Sequence, residues 1–156
     1  MIERIYDERN RRLGPAFAPV VTWAGADAPQ RTLEDVLTEA VAEYLGFLRD
    51  RPAFVEIVER EALAGGHRLR GLRGQSTVME DAFGALRRNA RVRGLREFDV
   101  AEAVMALIAL AYLPVAHRAT ILPRHGLSLE DEGFVARRVE HVVDVLLHVL
   151  GAPRPG

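Results

Sequence analysis

TLEDVLTEAVAEYLGFLR, residues 32–49, decides the fold class. Leu33, Val36, Leu37, Ala40, Val41, Tyr44, Leu45 and Leu48 recur at intervals of three and four, which is the period of an α-helix and not of a strand. Thr32 stands where a side-chain oxygen can accept from the free N–H groups of a first helical turn, with Asp35 three positions on. The spacing therefore predicts a helix from Thr32 to about Arg49.

Downstream, the same period returns between punctuating residues. Pro52 pushes Arg51 out of the α region and suits the first turn of a new helix, which carries Phe54, Ile57, Val58 and Ala62 and stops near Gly65-Gly66. Residues 63–74 hold four glycines and read as a loop or a frayed helix start. Gln75 to Arg93 is predicted helical, with Val78, Met79, Ala82, Phe83, Leu86 and Ala90 inward and Gly94 just past its end. Gly84 inside it implies a close helix approach or room for a ligand. Asp99 with Glu102 opens a helix over 100–113 that is apolar nearly all round and is expected at the centre of the fold, with Pro114 bending or ending it. Ser128 is expected to cap the last helix, whose first turn is acidic and which Gly151 closes. Its seam of Val135, Val139, Val142, Leu146 and Val149, widened by Val143, Leu147 and Leu150, suggests contact with both its own core and a second chain.

Upstream of Thr32, residues 2–13 read as a short polar helix on which Ile2, Ile5, Tyr6, Arg9 and Leu13 share a face. Residues 14–30 hold three prolines and are expected to be a loop, although Phe17, Val20, Val21 and Trp23 are apolar enough to pack onto something. The fold class is thus all-α, an antiparallel bundle of about six helices.

Composition narrows the function. The chain of 156 residues has 49% hydrophobic and 28% charged residues, with a formal net charge of -1. Every basic residue other than histidine is arginine. That balance argues against a free-standing nucleic-acid binder, which usually carries a basic surplus. The arginines at 87, 88, 91, 93 and 96 are followed directly by Glu97 and Asp99 and read as a solvated face. Without cysteine there is no disulfide, thiolate zinc site or cysteine nucleophile, and residues 1–13 lack the apolar stretch of a signal peptide, so the cytoplasm is the expected compartment. Ala103 to Val115 is too short to span a bilayer.

The order of signals resembles a known family. A tyrosine-bearing helix runs into Arg51-Pro52, with Glu61 near the end of the next helix; Gly94-Leu95-Arg96-Glu97-Phe98-Asp99 opens an apolar helix; a loop with Pro123 and Gly126 follows, and a long helix closes at Gly151. This pattern resembles the C-terminal domain of TetR-family transcriptional regulators over nearly the whole chain. The resemblance implies a small-molecule-sensing and dimerisation domain over 31–151, preceded by a remnant of the connecting helix over 1–13. Its last two long helices would form a four-helix interface in a homodimer. It also implies a repressor whose DNA contact comes only through a helix-turn-helix, which is not seen in these 156 residues.

Ligand sites in bundles lie between helices, mostly apolar with a few placed polar groups. The candidates for a small apolar or amphipathic effector are Tyr44, Phe47, Phe54, Glu61, Met79, Phe83, Met105, Ile108 and Tyr112, each of which also reads as ordinary core or surface. Glu61 could meet a cationic ligand or pair with a neighbouring arginine. His141 and His148 share a helix face but stand two turns apart, about 11 Å of rise, too far to hold one ion by themselves. No cofactor or metal is expected. Neither a phosphate loop, a Gly-x-Ser-x-Gly elbow nor a His-Glu-x-x-His occurs, so no catalytic residue is assigned. The competing readings are a metal-dependent helical-bundle enzyme and a headless partner of an intact regulator.

Overall fold

The computed structural model describes residues 2–70 and 77–152. Among them are seven α-helices and no strand: α1 (Ile2–Gly25), α2 (Leu33–Asp50), α3 (Pro52–Leu63), α4 (His67–Arg70), α5 (Thr77–Arg88), α6 (Val100–Ala116) and α7 (Glu132–Leu150). A 3-10 turn, Leu122–His125, links the last two. No helix of the described residues is long and apolar enough to cross a membrane.

α2 forms as its period demands. Thr32 Oγ1 accepts from Asp35 N–H at 3.1 Å, and Leu33, Val36, Leu37, Ala40, Val41, Tyr44, Leu45, Phe47 and Leu48 are buried. So many buried positions cannot be covered from one side. α1 covers one flank, α6 and α7 others, and α3 the C-terminal end. α5 then closes against α1 and α6.

The largest departure from the sequence reading is α1. It does not stop at Gly14-Pro15 but continues to Gly25, so most of the predicted loop 14–30 is helical. Both prolines inside it, Pro15 and Pro19, are four apart and avoid the buried face. The backbone groups they leave unpaired therefore face outward, where water can serve them. The opposite face carries Tyr6, Arg9, Leu13, Phe17, Val20 and Ala24, all buried. Phe17 and Val20 explain why that segment is too apolar for a loop.

Three smaller readings also change. α7 is capped by Asp131, whose Oδ1 accepts from Gly133 N–H at 2.9 Å, and not by Ser128, which instead accepts from Glu130 N–H. α6 runs through Pro114 to Ala116 and is not central: Ala103, Val104, Leu107, Ala111 and Val115 are buried, whereas Met105 and Leu113 are 53% and 47% exposed. The reason is position, because α6 lies beside α2, α3, α5 and α7, and among the described residues nothing covers Met105 and Leu113. A side chain at Gly84 would meet only Arg88 of its own helix, so close helix approach does not account for that glycine. Of the segment 63–74, only α4 and its flanking residues up to 70 are described; residues 71–76, including the start of the helix expected from Gln75, lie outside the described residues.

Most of the seam expected to meet a second chain is covered by its own protomer. Val142 and Leu146 are fully enclosed by their own protomer and Val139 nearly so; only Val135 and Val149 are half-buried. α7 turns the first three toward its own core, with α2 and α6 against it. Leu146→Ala is accordingly expected to cost about 2–5 kcal/mol of folding free energy through the cavity it leaves, measured by urea unfolding.

Candidate functional site

Four helices meet around a pocket of about 150 Å³ lined by Tyr6, Arg9, Tyr44, Phe54, Val58, Ile108 and Tyr112. α1 supplies the first two, α2 Tyr44, α3 Phe54 and Val58, and α6 the last two. The aromatic wall is fixed by edge-to-face packing. Tyr6 and Phe54 have ring centroids 5.3 Å apart, and Phe47 backs Phe54 at 5.1 Å. Such pairs add about 0.5–1.5 kcal/mol beyond burial and hold rings in one orientation.

The polar groups are few. Tyr112 donates its O–H to Glu59 Oε1 at 2.7 Å, tying α6 to α3. Burial pushes the Tyr112 phenol up, and the Glu59 carboxylate it donates to pushes it further. Burial pushes the Tyr44 phenol up to about 12, against a smaller opposite pull from Arg9. Arg9 is only 5% exposed, with its guanidinium carbon 5.4 Å from the Tyr6 ring centroid. Its pKa is drawn down by burial, with the Tyr44 and Tyr6 phenols acting the other way.

Of the sequence candidates, Tyr44, Phe54, Ile108 and Tyr112 line this pocket. Phe47 stands behind Phe54 as a fully buried support. Met79 and Phe83 are buried in α5 and do not line it. Met105 is turned to solvent on the outer face of α6. Glu61 is drawn toward Arg68, 3.6 Å away, so it pairs with an arginine and does not face the pocket. The residues not singled out as site residues, Tyr6, Arg9 and Val58, were visible on apolar helix faces; the signal in Arg9 was a cation within an apolar face.

Larger depressions are grooves on the surface. One of about 800 Å³ runs between α2 and α7 past Glu34, Arg137, Glu140, His141 and Asp144; another of about 730 Å³ lies beside Pro15, Pro19 and Trp23. Rigid aromatic walls and a buried cation converge on the smaller pocket. His141 and His148 are exposed, and the described residues hold no group of three or more His, Asp or Glu placed for a metal.

An all-α domain with an aromatic pocket between its helices is the class these features define. The family model for the tetracycline repressor-like C-terminal domain matches residues 34–146, and the chain belongs to that family, whose members are regulatory and not catalytic. No curated protein and no solved structure matches it.

The raised Tyr44 value fixes a sign. The fold favours the protonated phenol, so its contribution is complete below the ordinary value of 10.0 and is lost as pH rises through about 12. Phenolate absorbance should show a tyrosine resisting ionisation above the ordinary range, and stability to urea should fall across the same window; a Tyr44→Phe protein should lose part of that fall.

Proposed function

We propose that this chain is the effector-binding and dimerisation domain of a TetR-like transcriptional repressor, acting in the cytoplasm. The observation that carries the reading is the pocket built jointly by α1, α2, α3 and α6. A ligand there touches α1 through Tyr6 and Arg9 and the rest of the bundle through Phe54, Val58, Ile108 and Tyr112. In regulators of this kind the helix entering the domain leads from the DNA-binding head, so a shift of α1 against α3 and α6 changes the spacing of two heads. Contact with DNA belongs to that helix-turn-helix and not to residues 2–152. Control requires that the effector bind one arrangement of α1 better than the other, typically by about 1–3 kcal/mol.

The homodimer in this reading uses the outer face of α6 together with the part of the α7 seam that its own protomer leaves half-buried. Met105, Ala109 and Leu113 follow one another at intervals of four and are exposed. α7 beside them adds the half-buried Val135, Val145 and Val149. An exposed apolar stripe of this kind is what a two-helix contribution to a four-helix interface presents.

Light scattering at micromolar concentration should give a dimer for the wild type and a folded monomer for Leu113→Glu, because burying an unpaired carboxylate outweighs the contact it replaces. A wild-type monomer would overturn the dimerisation role. For sensing, a metabolite collection should contain compounds that raise the melting temperature by mass action. Val58→Trp, which fills the pocket, should abolish that rise while leaving the helical circular dichroism unchanged.

A further inference from the structure

We infer that the pocket takes a compact organic monoanion, a carboxylate on a body about the size of one ring, with the carboxylate seated on Arg9. The inference rests on reading this pocket as the effector site, and it adds the chemical class of the ligand.

Burial sets Arg9 apart from the other arginines of the described residues. Arg12 pairs with Glu43 and Asp50, Arg31 with Glu39, Arg49 with Glu132, Arg51 with Glu8, and Arg87 with Glu97. All of these pairs are at least partly exposed. Arg9 is the charged side chain that the fold buries, and among the described residues no carboxylate lies within ion-pair distance of it. Its Nε has no hydrogen-bond partner. Glu59, the carboxylate bonded to a pocket residue, is engaged by Tyr112. A buried cation without an anion is among the more expensive arrangements a small domain can hold. An arrangement that lowers stability in this way is characteristic of sites kept for binding.

The remaining features select the anion. A guanidinium offers two parallel N–H donors in a plane, which a carboxylate matches. One cation neutralises one charge, so a phosphate dianion would carry surplus charge against Phe54, Val58 and Ile108. Those side chains suit an apolar body. A volume of about 150 Å³ accommodates a benzene-sized ring and little more. Tyr44, kept protonated by burial, supplies a further O–H donor in the same pocket.

The test compares benzoate, benzamide and benzylamine, which share a ring and differ in charge, by titration calorimetry. Wild type should bind benzoate at least roughly tenfold more tightly than benzamide, as expected for hydrogen bonds to a charged partner, and should reject benzylamine. Arg9→Met should erase the preference for benzoate, and the unliganded variant should melt at a higher temperature than wild type, because the uncompensated charge is gone. Arg9→Gln serves the same reading should the methionine variant be insoluble. Benzamide or benzylamine binding as tightly as benzoate would overturn the anion inference and leave the pocket reading standing. So would a preference for benzoate that survives in Arg9→Met. A lower melting temperature for Arg9→Met would show Arg9 to be structural and overturn the inference. Should none of the three compounds bind, the anion inference falls, while the sensing role of this pocket stands or falls on the metabolite collection and Val58→Trp.

Discussion

The fold is organised by the demand of α2 to be covered on nearly every side. Its buried residues from Leu33 to Leu48 leave no face for solvent except the strip of acidic and small residues between them. This demand explains why α1 tolerates two internal prolines. Each interior proline costs about 3 kcal/mol or more in a helix, while burying a side chain such as Leu13, Phe17 or Val20 returns about 1.5–3 kcal/mol apiece. Those residues are buried together only if the helix is continuous, since a break at Gly14 would throw Phe17 and Val20 off the face that holds Leu13. With the prolines facing outward, packing outweighs local propensity.

The same arrangement creates the pocket. α1 and α3 both approach the C-terminal half of α2, and the aromatic rings of Tyr6, Phe47 and Phe54 meet edge to face between them. Rings held edge to face cannot fill space as branched aliphatic chains do, and α6 closes the gap only as far as Ile108 and Tyr112. Arg9 enters this space because it sits one helical turn beyond Tyr6 and one before Leu13 on the buried face of α1. The pocket and its cation thus follow from the packing of α1, the helix that local signals describe least well.

Burial also separates the roles of α6 and α7. By composition α6 is the greasier, yet it lies at the edge of the bundle and leaves Met105 and Leu113 in solvent. α7 is amphipathic and turns Val142 and Leu146 fully inward. Arg138 marks their junction, donating through Nε and Nη2 to the Leu110 carbonyl at 3.0 and 2.6 Å. That carbonyl stays four residues from Pro114, whose ring lacks the N–H that would otherwise bond to it, so the arginine satisfies an acceptor the proline leaves open.

Local sequence determined what depends on period and on single caps. The α2 stripe, the Thr32 and Asp99 caps, the Arg51-Pro52 junction and the left-handed glycines at 94, 126 and 151 are all set by residues within a turn or two of one another. The candidate pocket was half legible, because Tyr44, Phe54, Ile108 and Tyr112 are aromatic or bulky residues on helix faces, and such residues converge wherever helices meet. Tertiary structure alone decided the rest: that residues 14–25 are helical, that Arg9 is buried with no carboxylate beside it among the described residues, that Met105 points outward, and that Val142 and Leu146 belong to the protomer's own core. Each of these depends on which face of one helix another helix covers, and coverage is a property of the assembled bundle that no single helix carries in its own period.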